Sequence, residues 1–507
     1  MLRSLLGGLL ALFVLAGPLS ATWSIILIDT RTGEIAVASA TCLTNFDLAV
    51  WVPVIVVGRG AGCAQSYVDP TGATRLYIRD QLALGTNPTQ ILAGLAGFDT
   101  GHQSRQYGMV DVAGRAVGFT GTGAGGFASD RVGRIGDIVY AIQGNVLTGG
   151  PVLAAAELAL YSTPGDLGEK LMAAMEAARL FGGDGRCSCS DAAPTSCGSP
   201  PPTFTKSADV GFMILARPGD VDGSCNPTVG CASGSYYMRL NVPNRARVDP
   251  DPVFLLRAQF DQWRVQQRGR PDHFKSTVAF SSPNLPINGQ ATVTGRITLR
   301  DREGNRITTG GAVVQVALDA SNTTNATLGV VRDNGDGTYD VPVTAGTAGN
   351  RLVLDVRVDD GSGPRQLAPK PVLPTTTDRL WVDRNVVPAS TGGRLEFALQ
   401  PGPFAGANRL WVLLASASGT FPGILLPPFY HLPLNPDPLF HVMLQAAVTG
   451  TMPELIGLTR PGGVAGTAIS FPPGAYSFPI GLDLAFAYAL IQPISATSNF
   501  VTVRIGQ

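Results

Sequence analysis

The order of predicted strands and helices between residues 22 and 268 constrains the fold more than any other feature of the chain. A block of hydrophobic strands comes first, then helical spacing over residues 74–97, then further strands, then Ala- and Leu-rich helices over residues 150–180 and a last strand. Elements that come in blocks rather than in alternation favour antiparallel sheets with helices packed on them. We therefore expect a layered α+β domain that ends with an amphipathic helix over residues 249–268.

Beyond that helix the pattern changes to short alternating strands separated by frequent turns. Residues 276–377 contain runs such as "ATVTGRITL" and "RLVLDVRV", which are typical of an immunoglobulin-like β-sandwich. A Pro/Thr-rich linker follows, and residues 378–507 again combine strands with Pro/Gly turns and carry little charge. The sequence thus predicts an α+β domain over residues 22–275, followed by two all-β sandwich domains.

The first 21 residues have the pattern of a secretory signal peptide. Arg3 supplies the positive charge, and the apolar run over residues 5–16 is broken by Pro18. This run is too short to span a bilayer comfortably. We expect an exported protein, extracellular or periplasmic, with no membrane span.

Two positions satisfy the small-residue rule for signal cleavage. Cleavage after Ala21 leaves Thr22 as the first residue, whereas cleavage after Ala16 leaves Gly17 first. The distinction matters because only the first alternative exposes a side chain with nucleophilic chemistry.

Composition excludes several classes of function. The 507 residues are 45% hydrophobic and 15% charged, which predicts large buried cores. The 37 basic and 37 acidic residues balance, with no basic stripe, which argues against a nucleic-acid partner. The segment "GTGAGG" (121–126) matches G-x-G-x-x-G, but no helix or βαβ unit surrounds it, so we expect no dinucleotide and no other cofactor.

The seven cysteines predict disulfides, since the protein is expected to be exported. The last five lie in polar, Pro/Gly-rich loops that cannot bury a core, and the first two could pair across neighbouring strands. A zinc site is the alternative, but no histidine accompanies the loop cysteines and their spacing is not a paired C-x2-C, so no metal is expected. The cysteines are Cys42, Cys63, Cys187, Cys189, Cys197, Cys225 and Cys231.

Thr22 is the candidate nucleophile. A free N-terminal threonine contains both the attacking hydroxyl and an α-amine that can accept its proton. The reference pKa of such an amine is about 7.7–8.0, so part of it is neutral near physiological pH. Any preceding residue turns the amine into an amide, so the chemistry requires cleavage after Ala21. The alternative is that Thr22 is an ordinary β-branched strand residue.

Six segments resemble, in order and spacing, the domain of unknown function 1028 family. They are "TWSIILIDTRTGEIAVASAT", "VPVIVVGRGAGCAQSYVDP", "RQYGMVDVAGRAVGFTG", "YAIQGNVLTG", "GGDGR" and "RVDPDPVFLLRAQF". The resemblance covers residues 22 to about 262. It implies an N-terminal-nucleophile (Ntn) hydrolase-like domain, built as a four-layer αββα sandwich, in which Thr22 is the nucleophile.

The same resemblance implies further site residues. The family's "QGN" stands here as Gln143, Gly144 and Asn145, and the two side-chain amides are candidate donors to an oxyanion, each worth roughly 3–4 kcal/mol if well aimed. The alternative for this segment is a strand-ending turn. The family's frequent Trp-Ala-Gly-His is replaced here by Phe-Ala-Ser-Asp, which ends at Asp130.

Three residues are candidate substrate-binding groups. His102 and Arg105 belong to a polar stretch, "GHQSRQ", that matches the family, and Asp184 lies in "GGDGR". The alternatives are an exposed loop histidine for the first and a helix-ending turn for the last.

These observations predict an amidohydrolase that acts on an unidentified small amide or peptide, with peptide and cell-wall amides expected by analogy alone. Two other interpretations stay open: a non-catalytic extracellular binding or adhesion protein on the same fold, whose β-sandwich domains contact a cell-surface partner, and a purely structural extracellular protein. A free Thr22 in the mature protein would separate the first from the others.

Overall fold

The computed structural model describes residues 22–282, 284–287, 289, 291–349, 351–376, 379–401, 407–428, 430–474 and 478–507. The predicted signal peptide therefore lies outside the described residues. The chain forms two compact units, with the division between Gln267 and Arg268.

The first unit contains ten strands and seven α-helices among its described residues. The strands are β1 (Thr22–Asp29), β2 (Ile35–Thr41), β3 (Pro53–Val56), β4 (Gly60–Ser66), β5 (Arg105–Asp111), β6 (Ala116–Thr120), β7 (Phe127–Ile135), β8 (Ile138–Leu147), β9 (Val210–Ala216) and β10 (Met238–Val242). The helices are α1 (Leu48–Trp51), α2 (Ala73–Leu84), α3 (Pro88–Phe98), α4 (Pro151–Ser162), α5 (Leu167–Leu180), α6 (Gly185–Ser188) and α7 (Pro252–Gln266), with a 3₁₀ turn at His102–Ser104.

These strands form two antiparallel sheets. The first has the order β10-β9-β2-β1-β8-β7, and the second has the order β3-β4-β5-β6. Strand β1 is central in the first sheet, where it pairs with β2 on one side and with β8 on the other. The blocks of strands and helices predicted for residues 22–268 are confirmed. The hydrophobic segment "AVWVPVIVVG" (49–58) predicts a continuous strand, but its first residues belong to the short helix α1 and only Pro53–Val56 forms a strand.

Side-chain alternation divides the buried residues of this unit into layers. One face of the first sheet packs against α4, α5 and α7, through residues such as Trp23 and Ile25 of β1. The other face, which includes Ile26 and Ile28, meets the second sheet. The outer face of the second sheet, through Tyr107 and other residues, packs against α2 and α3.

Local signals in the sequence set the helix boundaries. Asn87 caps α3 through a side-chain bond to the Thr89 amide, and Pro88 occupies its first turn, where a missing N–H costs nothing. Asp251 and Pro252 start α7 in the same way. Gly85, with φ of 77°, ends α2 in the left-handed conformation that favours glycine. The run Gly85-Thr86-Asn87-Pro88 predicts a break in the helical pattern of residues 74–97. The structure confirms this break, since α2 ends at Leu84 and α3 begins at Pro88.

The second unit begins with a β-sandwich. Its strands are β11 (Thr277–Phe280), β12 (Leu285–Pro286), β13 (Thr292–Thr298), β14 (Val313–Leu318), β15 (Thr327–Leu328), β16 (Arg332–Asp333), β17 (Thr338–Thr344), β18 (Arg351–Asp359), β19 (Arg365–Gln366) and β20 (Val372–Thr376). One sheet has the order β11-β13-β17-β15 with β16 on β17, and the other has the order β12-β20-β18-β14 with β19 on β18. Both sheets contribute to one apolar core, for example through Val341 of β17 and Val356 of β18.

The remaining residues form a second domain of sheets with one helix. Its strands are β21 (Leu380–Val382), β22 (Val386–Pro388), β23 (Gly393–Leu399), β24 (Leu410–Ser416), β25 (Ile424–Leu426), β26 (Tyr430–Leu432), β27 (Ile456–Leu458), β28 (Ala465–Phe471), β29 (Asp483–Ile491), β30 (Ala496–Thr497) and β31 (Val501–Gly506). Helix α8 (Pro438–Thr449) packs Phe440 and Met443 into the same core as the strands, and a 3₁₀ turn follows at Pro453–Leu455. The helix was not expected in an all-β domain.

Candidate active site

The layer between the two sheets of the first unit is polar at one end and apolar at the other. Along β1, Thr22 and Ser24 share a face with Ile26 and Ile28, since alternate residues point the same way. The polar end is completely enclosed, with at most 2% exposure for any of its members. These eight residues, called the polar layer below, are Thr22, Ser24, Ser39, Thr41, Gln65, Gln106, Gln143 and Asn145.

A chain of amides links the two sheets within the polar layer. The Gln65 Nε2 of β4 donates to the Thr22 carbonyl oxygen at 2.9 Å and to Gln106 Oε1 at 3.0 Å. Gln106 in turn donates to the Gly144 carbonyl at 2.9 Å and to Thr120 Oγ1 at 3.0 Å. The first residue of β1 is therefore bound by the second sheet as well as by the neighbouring strands of its own sheet.

Asn145 lies beside Thr22, which is its register partner across β1 and β8. Its Nδ2 donates to Ser66 Oγ at 3.2 Å and to the Ala124 carbonyl at 3.0 Å. Ser66 also donates to Ala124 at 3.1 Å. The "GTGAGG" loop, rejected as a nucleotide-binding motif, thus closes one side of the polar layer through its backbone.

Two residues in this region hold left-handed backbone conformations that are unfavourable for their side chains. Ser66 has φ of 70° and Val146 has φ of 52°. Such a conformation costs on the order of 1–3 kcal/mol for a residue other than glycine, and it persists only where its surroundings enforce it. Both residues adjoin polar-layer amides, Gln65 and Asn145, and clustered strain of this kind is characteristic of functional sites.

Two glycines of the second sheet make room for side chains of the first. Gly108 and Gly118 are register partners on β5 and β6, and Asp130 and Gln143 are register partners on β7 and β8. A Cβ at Gly108 would lie 1.9 Å from Gln143 Oε1, and one at Gly118 would lie 2.3 Å from Asp130 Oδ2. Both glycines belong to "RQYGMVDVAGRAVGFTG", so the close approach of the sheets explains why this segment contains them.

Gln143 is the amide with unused hydrogen-bonding groups. Its Nε2 and Oε1 are both buried and have no partner among the described residues. A buried amide left unsatisfied costs roughly 1–3 kcal/mol. Gln143 lies one pleat further into the layer than Asn145, opposite Ser24.

We expect Gly108→Ala to destabilise the protein by about 1–3 kcal/mol, because the new methyl group must displace the enclosed Gln143 amide. Chemical denaturation of the full chain measures this change. Gly97→Ala is the matched control: Gly97 lies near the end of α3, with nothing within 4 Å of the position that an alanine methyl group would take. The control should stabilise by up to about 1 kcal/mol, since alanine favours helix. Equal effects of the two substitutions would contradict the packing argument.

Asp184 is buried, and its side chain is held by contacts within the protein. Its carboxylate is fully buried, accepts from the Cys42 backbone amide at 2.7 Å, and pairs with the Arg186 guanidinium at 2.8 Å and 3.2 Å. It also caps the short helix α6. Arg186 reaches Thr41 Oγ1 at 3.4 Å, at the edge of the polar layer. Asp184 therefore fastens the loop after α5 to the end of β2.

His102 and Arg105 lie outside the polar layer. The His102 ring stacks on Phe119 and Tyr107, with ring centroids 4.2 Å and 5.6 Å apart, and Tyr107 belongs to the outer face of the second sheet. Arg105 forms an ion pair with Asp99 at 3.0 Å. Burial lowers the pKa of His102, and the nearby Asp99 carboxylate opposes this change. The structure does not bring His102 or Arg105 together with Thr22. The sequence could not reveal this separation, because it depends on which side of the second sheet the two residues occupy.

Both lysines of the first unit have their own partners away from Thr22. Lys170 Nζ donates to the Leu160 and Thr163 carbonyls at 2.9 Å and 2.6 Å. Lys206 pairs with the buried Asp209 at 2.6 Å. Among the described contacts, neither lysine interacts with the Thr22 side chain.

Six of the seven cysteines form disulfides. The pairs are Cys42–Cys187, Cys189–Cys197 and Cys225–Cys231. The expected pairing of Cys42 with Cys63 is wrong, because Cys63 is a free, buried thiol on the inner face of β4. Cys42, Cys187 and Asp209 place potential metal ligands within 4.8 Å of one another, but the two sulfurs are bonded to each other, whereas metal binding requires thiolates.

Mass mapping of the non-reduced protein should recover these three disulfides and one unmodified thiol at Cys63. Burial raises the pKa of this thiol to about 12, so it should resist alkylation in the native protein at pH 8 and react only after denaturation. Rapid alkylation of native protein at Cys63, or a peptide that joins Cys42 to Cys63, would contradict the assignment.

Part of the first unit matches a known family model. Residues 22–194 match the model described as "Family of unknown function (DUF1028)". This part of the chain is similar to that family and is called the DUF1028 domain below. A second match covers residues 272–368 with the model "Invasin, domain 3", within the first sandwich of the second unit. The chain is therefore similar to two different families in successive segments.

Solved structures show similarity to both parts at low identity. A Silicibacter pomeroyi protein of the DUF1028 family is 20% identical, with 48% of this chain and 86% of that chain covered and a TM-score of 0.35. The Yersinia pseudotuberculosis adhesin InvE is 17% identical, with 46% and 58% covered and a TM-score of 0.18. The Escherichia coli adhesin FdeC is 10% identical, with 97% and 99% covered and a TM-score of 0.20.

No curated protein sequence matches the chain. Across the described ranges, no helix combines the length and apolar character that a membrane span requires.

Proposed function

We propose that the DUF1028 domain is an N-terminal-nucleophile amidohydrolase in which Thr22 attacks an amide carbonyl. The observation that carries the proposal is the position of Thr22. It is the first residue of the central strand β1, and its side chain belongs to an enclosed layer of amides and hydroxyls between two sheets. The packing of helices on the outer faces of both sheets supports an Ntn-type αββα architecture for this domain.

The proposed base is the α-amine of Thr22. It is covalently fixed beside the hydroxyl, and both lysines of the domain are engaged with other groups. The amine accepts the hydroxyl proton as Oγ1 attacks, and then delivers that proton to the leaving amine of the substrate. Water later hydrolyses the ester that joins the acyl group to Thr22.

Asn145 and Gln143 are the proposed oxyanion donors. Asn145 is the nearer amide, and it takes this role when Nδ2 exchanges the Ser66 Oγ or the Ala124 carbonyl for the oxyanion. Gln143 lies deeper and has N–H groups without a partner among the described residues. His102, Arg105 and Asp184 are left out of the reaction, since their contacts lie elsewhere.

The second unit is proposed to bring the enzyme to a cell surface. This proposal follows from the match of residues 272–368 to an invasin domain, and from the disulfides expected of an exported protein. A non-catalytic adhesion protein is the second candidate function, and the same match favours it.

The mature N-terminus is the first test of the amidohydrolase. We expect N-terminal sequencing of the exported protein to show Thr22 first, because only then is the amine free. Periodate cleaves a 1,2-amino alcohol, so it should convert the N-terminal threonine to an aldehyde that a hydrazide captures. A mature protein that starts at Gly17, or keeps its leader, would not react and would rule out Thr22 as the nucleophile.

A further inference from the structure

The last two residues of β4, Gln65 and Ser66, each hold one side of the Thr22 site. Gln65 Nε2 donates to the Thr22 carbonyl at 2.9 Å, and Ser66 Oγ accepts from Asn145 Nδ2 at 3.2 Å. Thr22 and Asn145 are themselves register partners on the first sheet. One end of one strand of the second sheet therefore contacts both the proposed nucleophile residue and the amide beside it.

The hydrogen-bonding groups of Gln65 are fully used. One N–H faces the Thr22 carbonyl and the other faces Gln106 Oε1, while Oε1 accepts from the Ser24 hydroxyl. The side chain is completely buried. Its orientation is fixed by these partners, because the Thr22 carbonyl can only accept.

The backbone at Ser66 explains how two consecutive residues contact the same site. Neighbouring residues of a regular strand point to opposite faces, so Ser66 would follow Ala64 to the outer side of the sheet. Its φ of 70° instead turns the hydroxyl toward Asn145 and Ala124. Because the unfavourable Ser66 backbone accompanies these two hydroxyl contacts, we infer that the contacts have a function.

We propose that Gln65 and Ser66 are the positioning residues of the Thr22 reaction; this inference rests on the proposed function. The first residue of a chain frays unless it is tied down. Gln65 fixes the carbonyl of Thr22, and with it the backbone from which the amine and hydroxyl project. Ser66 holds the Asn145 amide at a set distance from that hydroxyl. The described hydrogen bonds of Gln65 and Ser66 go to the Thr22 carbonyl, to Asn145 and to other neighbours, so we assign both residues a positioning role.

A β-lactone probe tests this inference without a known substrate. In the protein 22–507 with Thr22 first, Oγ1 attacks the lactone carbonyl and forms an ester. The ring C–O bond breaks, and the Oγ1 proton passes through the Thr22 amine to the released alkoxide. The second-order rate of acylation at Thr22 is measured by peptide mass, and thermal unfolding is measured for each variant.

Ser66→Ala and Ser66→Gly form a matched pair. Both lack the hydroxyl, but only glycine accepts the left-handed backbone without strain. We expect both variants to react about 10- to 100-fold more slowly than wild type, since small misplacement at a reaction centre has effects of that size. The glycine variant should nevertheless be the more stable of the two. Two results would overturn the inference. One is an acylation rate that falls only in proportion to the loss of melting temperature, and the other is an acylation rate equal to that of the wild type.

Gln65→Glu adds a pH-dependent readout. The protonated acid can donate to the Thr22 carbonyl in place of the amide, whereas the carboxylate cannot. The ratio of variant to wild-type acylation rate should therefore rise as the pH falls from 8 to 5, with unfolding monitored at each pH. A ratio that does not change while the variant stays folded counts against Gln65. If wild type itself is not acylated, the proposed function fails and this inference fails with it.

Discussion

Replacing Thr22 with alanine is expected to abolish amide hydrolysis, with a loss of about 10³-fold or more, because the nucleophile disappears. Thr22→Ser should keep measurable turnover, since a hydroxyl and a free amine remain. One additional residue before Thr22 should be as damaging as alanine, because it converts the base into an amide. Turnover of a panel of peptides and acyl amides, followed by product mass, measures all three.

Thr30→Ala is the matched control for the loss of a threonine. Thr30 follows the other end of β1, where its hydroxyl donates to the Asp137 carbonyl at 2.9 Å. This variant should retain wild-type turnover. If Thr22→Ala turned over substrate as fast as wild type, the Ntn mechanism would be wrong. If the wild-type protein hydrolysed none of the panel, the adhesion interpretation would take precedence.

Asp184→Ala is expected to lower the free energy of unfolding by about 3–5 kcal/mol, which is the cost of removing one partner from a buried ion pair. The substitution takes away the carboxylate that faces Arg186 at 2.8 Å and the acceptor of the Cys42 amide at 2.7 Å. Denaturant unfolding of the oxidised protein measures the change.

Asp191→Ala is the control for this substitution. Asp191 pairs with Arg247 at 3.2 Å, but its side chain is 70% exposed, and exposed pairs contribute about 0–1 kcal/mol. If Asp184→Ala lowered the free energy of unfolding no more than Asp191→Ala does, Asp184 would not be holding the loop after α5 to the end of β2. A loss of activity without a loss of stability would restore the substrate-binding role that the sequence predicted for it.

Much of the architecture could be predicted because it depends on short-range patterns. Alternating hydrophobic residues identify β1 and β2, and Asn87-Pro88 and Asp251-Pro252 identify helix starts through their fixed backbone preferences. Helix α8 carried the same signal, Asp437 before Pro438 with Gly450 at its end, but the strands around it led to an all-β interpretation. That error was one of interpretation, since the pattern was present.

The candidate site was predicted only in part. Thr22 was proposed from the chemistry of an N-terminal threonine, and Gln143 and Asn145 from the "QGN" segment that resembles the family. Gln65 and Ser66 were missed, since an amide or a hydroxyl at a strand end has no local signature. The separation of His102 from Thr22 depends on tertiary packing. The His102 ring lies in a turn and stacks on Phe119 and Tyr107 at the outer face of the second sheet, whereas Thr22 lies between the two sheets.

The sequence by itself predicted the blocks of strands and helices over residues 22–268, and a hydrophobic strand that begins at Thr22. Only the tertiary structure decided that Cys42 bonds to Cys187, 145 residues away, and leaves Cys63 free. It alone placed Gln65 of one sheet against Thr22 of the other. The reason is physical: backbone preference and hydrophobic period act between near neighbours, whereas disulfide pairing and contacts between sheets require distant segments to be held in register.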